Sequence, residues 1–190
     1  MSKYSTLFSF GLFTVITFCF VLCNPTTDNS SQEAKEHNDA KFTEKASADN
    51  AKFVVDAYTD GLLEMKMAED IKAKCVTEGA KNVAESNATL FRNFNSTLGS
   101  LAAGKQITVP SSLTKTQQDE IDRISKKQGM DVDKDYTDKL VSMNKDAVAQ
   151  FEKASTEATD PDIKSFFANE LAALREQLDK SMKIRDALKK

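Results

Sequence analysis

Tryptophan is absent from this 190-residue chain, and histidine (1), proline (3), cysteine (3) and glycine (6) are few. The scarcity of proline and glycine argues against a turn-dense β-architecture, and the prevalence of Ala, Lys, Glu, Asp and Leu favours long helices. Cys19 and Cys23 fall in or at the end of an apolar N-terminal run, which leaves Cys75 alone in the remainder, so no disulfide forms within a folded domain. His37 lies in a polar stretch far from Cys75 in sequence, and a lone thiol without a base is read as a small packed residue rather than a nucleophile. Neither sign of charge dominates. The formal net charge is -3 and both signs are mixed along every segment, so there is no basic stripe for a nucleic acid.

What is present fits one globular domain with appendages, at 40% hydrophobic and 29% charged residues. Met1 to Thr6 carries one cation, Lys3, and Leu7 to Leu22 is a 16-residue uncharged run. That length suits a secretory leader better than a bilayer span, which needs about 20 residues. Cys23 ends the run where polar sequence begins, the position of the acylated first residue of a bacterial lipoprotein. Leu22 is larger than the small residue usual before such a cysteine, so ordinary leader cleavage and an uncleaved anchor stay open. Acylation of Cys23 would hold the protein on a membrane, at ~0.8 kcal/mol per buried methylene. Export to the periplasm or outer membrane is the expectation. Residues 24–48 have Phe42 as their single large apolar residue and read as a flexible tether.

Residues 49–190 show four long helical patterns and one short one. Asp49 is placed to cap the first, to about Lys74, with Phe53, Ala57, Gly61, Ala68 and Ile71 on one side. The second spans about Thr77 to Ala103, its stripe including Val83, Phe91, Phe94 and Leu98, with Gly104 as terminator. A short helix follows at about Thr114 to Lys127. The third long helix covers about Asp131 to Thr159 with Tyr136, Leu140, Val148 and Phe151, and Asp160-Pro161 opens the fourth, with Phe167, Leu171 and Leu174. Between the second and third lies the one long connection, as a bundle with a single crossover requires. Glu64, Asn87, Asn144, Glu170 and Gln177 project toward these apolar sides, where an unpaired polar group costs roughly 1–3 kcal/mol.

Stretches such as AKFVVDAYTDGLLEM, DKDYTDKLV and DPDIKSFFANELAALREQL resemble the bacterial ferritin-like family catalogued as domain of unknown function 4142, often labelled a predicted outer membrane protein. Gly61 and Glu64 match its G-x-x-E, Asp133 and Tyr136 its F-D-x-x-Y, and Leu174, Arg175 and Glu176 its L-R-E-H. The resemblance implies an all-α, ferritin-like four-helix bundle with one long crossover. It also implies that histidines of a bundle-core metal site have been replaced, because the register puts Phe91, Asn144 and Gln177 at their positions. One carboxylate and two amides make a poor transition-metal set. Glu64, Phe91, Asn144 and Gln177 are therefore expected to form an interior cluster, with Glu64 accepting hydrogen bonds from Asn144 and Gln177. No cofactor, metal or catalysis is expected. The implied partners are a membrane through the anchor and an envelope protein. A metal-binding or redox protein is the alternative, and a small-ligand carrier the third reading.

Overall fold

The computed structural model describes residues 30–190; the expected leader segment and Cys23 lie outside them. Three of the helices start where a side chain satisfies free N–H groups of the first turn. Thr77 accepts from Ala80 N, Thr114 and Gln117 form a reciprocal capping box, and Asp160 accepts from Asp162 N and Ile163 N with Pro161 in the first turn. Six helices result, in the order α1 (Ser30–Lys41), α2 (Lys45–Lys72), α3 (Glu78–Gly104), α4 (Lys115–Ser125), α5 (Met130–Glu157) and α6 (Pro161–Ala187). The described residues form an all-α fold with no strand. No helix among them is long and apolar enough to cross a membrane.

α2 packs along α3 and α5 along α6, and the two pairs meet through α3 against α6 and α2 against α5. Short turns join each pair, and each turn is held by a side chain from another part of the bundle. Asp133, fully buried on α5, accepts from Val76 N and Thr77 N at 2.8 Å each and from Thr77 Oγ1 at 2.6 Å, which fixes the α2–α3 turn. At the opposite end, Asn50 of α2 donates to Thr159 Oγ1 (2.8 Å) and accepts from Thr159 N (2.9 Å), fixing the α5–α6 turn.

The interior divides in two. One cluster gathers Val54, Val55, Phe91, Phe94, Leu98, Phe151, Phe166 and Phe167, with Phe151 and Phe167 in edge contact at 4.8 Å between ring centres. The other holds Met67, Ile71, Val83, Ile121, Ile124, Tyr136 and Leu140. α4 contributes Ile121 and Ile124 to the second, so the long connection is part of the core rather than a loop laid over it. Along α2, α3 and α5 the buried polar residues Glu64, Asn87 and Asn144 fall between the stretches that supply the two clusters. Gly61 lets α3 approach α2 at this level: a Cβ there would lie 2.3 Å from Asn95 Oδ1 and 3.3 Å from Phe91 Cδ1.

Three expectations change. The part of the expected flexible tether that is described, residues 30–48, is structured: α1 occupies Ser30–Lys41 and buries Ala34 and Asn38, and Phe42 packs against the aromatic cluster. α2 begins at Lys45 with Glu44 before it, and Asp49 lies inside the helix, 2.6 Å from Lys45 Nζ. Gly104 is the last residue of α3 but not its left-handed stop. Gln106 takes that role at φ 58°, with Ile107 N bonded to Ala102 O (2.8 Å) and Gln106 N to Ala103 O (3.0 Å).

Candidate functional site

Glu64 is 2% exposed, one turn beyond Gly61 on the face of α2 that meets α3 and α5. A carboxylate in such surroundings must find donors or give up its charge. It finds one donor: Asn87 Nδ2 of α3 gives a hydrogen bond to Glu64 Oε2 at 2.8 Å. Asn87 Oδ1 in turn accepts from Asn144 Nδ2 of α5 at 3.3 Å, and the same Asn144 amide reaches Leu140 O (3.1 Å) and Ser181 Oγ of α6 (3.4 Å). Ser181 Oγ donates to Gln177 O at 2.8 Å. The chain Glu64–Asn87–Asn144–Ser181 thus crosses the bundle from α2 through α3 and α5 to α6.

Two of its acceptors go unmet: Glu64 Oε1 and Asn144 Oδ1 are buried without hydrogen-bond partners, and the buried Tyr136 hydroxyl also lacks one. Burial pushes Glu64 up from its ordinary value of 4.5 to about 8, with Asp60 and Asp146 adding to the rise and the Asn87 hydrogen bond and Lys139 opposing it. Glu64 is therefore mainly neutral at pH 7, and a neutral carboxyl carries a proton of its own to donate. Burial also holds the Tyr136 hydroxyl well above its ordinary 10, with smaller contributions from Glu64 and Cys75.

The expected cluster comes together in a different pattern. Asn144 reaches Glu64 only through Asn87, and Gln177 turns away from it: Gln177 Oε1 accepts from Ser86 Oγ at 2.9 Å and Gln177 Nε2 donates to Val83 O at 3.3 Å. Phe91 belongs to the aromatic cluster, in edge contact with Phe94 at 5.5 Å. The central partner, Asn87, was legible as a polar residue on an apolar stripe, whereas Ser181 carried one signal, its position one turn beyond Gln177 on the same face. Glu170 is only partly buried, and burial raises its carboxyl.

The donor set does not fit a di-metal centre. Among the described residues no three His, Cys, Asp or Glu side chains converge. Glu64 commits one oxygen to an amide donor and favours its neutral form, Asn144 presents its NH₂ to Asn87, and Phe91 offers no donor atom. The Cys75 thiol is held in its protonated form. Burial pushes its thiol up to about 12, and the nearby Asp133 carboxylate contributes in the same direction.

Glu64 makes stability depend on pH. Its folded value, about 8, exceeds the ordinary 4.5, so its contribution is full below 4.5, declines as pH rises, and reaches its floor above about 8. The full swing is on the order of a few kcal/mol at ~1.4 kcal/mol per pKa unit. Urea denaturation should give a lower unfolding free energy at pH 9 than at pH 5, and Glu64→Gln should remove most of that difference. Glu64→Ala should cost about 2–4 kcal/mol at pH 7, through a void and stranded amides. A pH dependence identical in wild type and Glu64→Gln would contradict the assignment.

The described helices and their polar chain lie almost wholly within a stretch that has relatives. A family model described as a domain of unknown function (DUF4142) matches residues 31–184, from the start of α1 to the last turn of α6. No curated protein and no solved structure matches the chain. The match takes in Glu64, Asn87, Asp133, Tyr136, Asn144 and Gln177, and the chain belongs to the DUF4142 family of domains of unknown function.

Proposed function

We propose that this protein is an exported, membrane-tethered, non-catalytic bundle of the bacterial envelope, with a ferritin-like four-helix core, that works by presenting its folded surface to an envelope partner, as in stress tolerance. The observation that carries the non-catalytic part is the Glu64–Asn87 hydrogen bond, which ties the buried Glu64 carboxyl to an amide at the bundle centre. That pair supplies packing and hydrogen bonding, and among the described residues no group of His, Cys, Asp or Glu that could hold a metal accompanies it. Support for export comes from Lys3, the uncharged run Leu7 to Leu22, and Cys23 at its polar boundary.

A second reading, a metal-binding or redox bundle, draws on Glu64 Oε1 and Asn144 Oδ1, two buried acceptors without partners. Oxygen donors of this kind suit hard cations better than the soft or imidazole-seeking metals. Deprotonating Glu64 against its burial works against this reading at neutral pH.

Two measurements test the proposal. Cys23→Ser should move the protein from the membrane to the soluble envelope fraction and abolish palmitate labelling, and a wild type that takes up no palmitate would refute lipid anchoring. Thermal melts of protein purified from its native host should superimpose with and without chelator. A fall of several degrees on chelation would overturn the metal-free account and favour the second reading.

A further inference from the structure

We propose that α1 is a hydrogen-bonded strap that leaves and rejoins the bundle as a unit while α2, α3, α5 and α6 stay folded, so that it sets the length of the link between Cys23 and the bundle. The link-length part rests on the anchoring reading above; the strap itself does not.

The case begins with how α1 is held. It runs antiparallel to the connection that follows α3, and nearly all its ties go to that segment. Asn38, 4% exposed, donates from Nδ2 to Thr108 O (2.7 Å) and accepts at Oδ1 from Thr108 N (2.9 Å), a two-way pairing of side chain with backbone. Ser30 Oγ accepts from Ser111 N (2.8 Å) and Ser112 N (3.3 Å) at one end, and Lys41 Nζ donates to Gln106 O (2.8 Å) and Oε1 (2.9 Å) at the other. His37 Nδ1 lies 2.8 Å from Thr108 Oγ1. The one ion pair to α2, Lys35 with Asp56 at 3.6 Å, is partly exposed and worth little.

Apolar burial contributes almost nothing. Ala34 is the one apolar residue α1 buries, and it belongs to neither core cluster. A groove of about 350 Å³ runs between α1 and α2, with Lys35, Asn38 and Asp39 on one bank and Ala51 and Val55 on the other, so the seat is not closely packed. Phe42, packed on the aromatic cluster and bonded through its N–H to Asn38 O (2.7 Å), marks the fixed end from which the strap peels. An element held by a few hydrogen bonds, most of them exposed apart from the Asn38 pairing, and by few apolar contacts opens at a small fraction of the global unfolding free energy.

Release has a geometric consequence for a lipid-anchored chain. With α1 docked, residues 24–29 link Cys23 to Ser30 and span at most about 20 Å at ~3.3 Å per residue. With α1 released and extended, residues 24–41 reach about three times as far. The strap therefore switches the bundle between a short and a long leash.

Hydrogen exchange with mass spectrometry on the full-length chain tests this. Amides of α1 should exchange at least about 100-fold faster than those of α5 and α6, yet more slowly than in an unstructured chain. Asn38→Ala, which removes the two-way pairing, should speed α1 and Thr108 exchange a further tenfold or so and leave α5 and α6 unchanged. Ser30→Ala should show the same pattern with a smaller effect. Protection of α1 equal to that of α5 and α6, or acceleration of all three helices by Asn38→Ala, would overturn the strap, as would wild-type α1 exchanging like an unstructured chain. A Cys23 that takes no fatty acid would remove the leash but leave these outcomes untouched.

Discussion

A carboxyl group at 2% exposure in the middle of a helical bundle is costly unless it is neutral or well donated to, and much of the interior here is arranged around that constraint at Glu64. One donor, Asn87 Nδ2, meets one oxygen, and burial favours a proton on the group. Asn87 then needs a donor for its own carbonyl, which brings in Asn144, and Asn144 leans on Ser181. A single buried acid thus recruits side chains from all four long helices. A buried network that leaves Glu64 Oε1 and Asn144 Oδ1 without partners carries a desolvation cost of its own.

That polar level separates an aromatic half of the core from an aliphatic half. The aromatic half lies toward the α5–α6 turn, clamped by Asn50, and the aliphatic half toward the α2–α3 turn, clamped by Asp133. Phe91 shows how the two halves meet. It extends the aromatic packing up to Gly61 and the level of Glu64.

The long helices were legible because their apolar positions recur with helical period, and two of them open on a capping residue, Thr77 and Asp160. α1 was not legible, since its docking comes from Asn38, Ser30 and Lys41 pairing with backbone far along the chain, which leaves no apolar period to read. Gln106 was missed for a related reason: glycine is the usual left-handed stop, and Gly104 lay two residues before the real one. At the candidate site, periodicity gave the faces on which Glu64, Asn144 and Gln177 lie but not their rotamers. Gln177 found Ser86 and Val83 O nearer to hand, and Asn87 stood between Glu64 and Asn144. Asp133, matched by sequence to a family motif, proved to be a clamp on a turn.

The central claim is that the carboxyl at the bundle centre is neutral and structural at physiological pH. Carbon-13 NMR of the Glu64 side-chain carboxyl, assigned by its loss in Glu64→Gln and followed across a pH titration of the folded protein, measures this directly. The account predicts a midpoint near 8, far above the ordinary 4.5. A midpoint near 4.5 would place a charged carboxylate inside the bundle and contradict it.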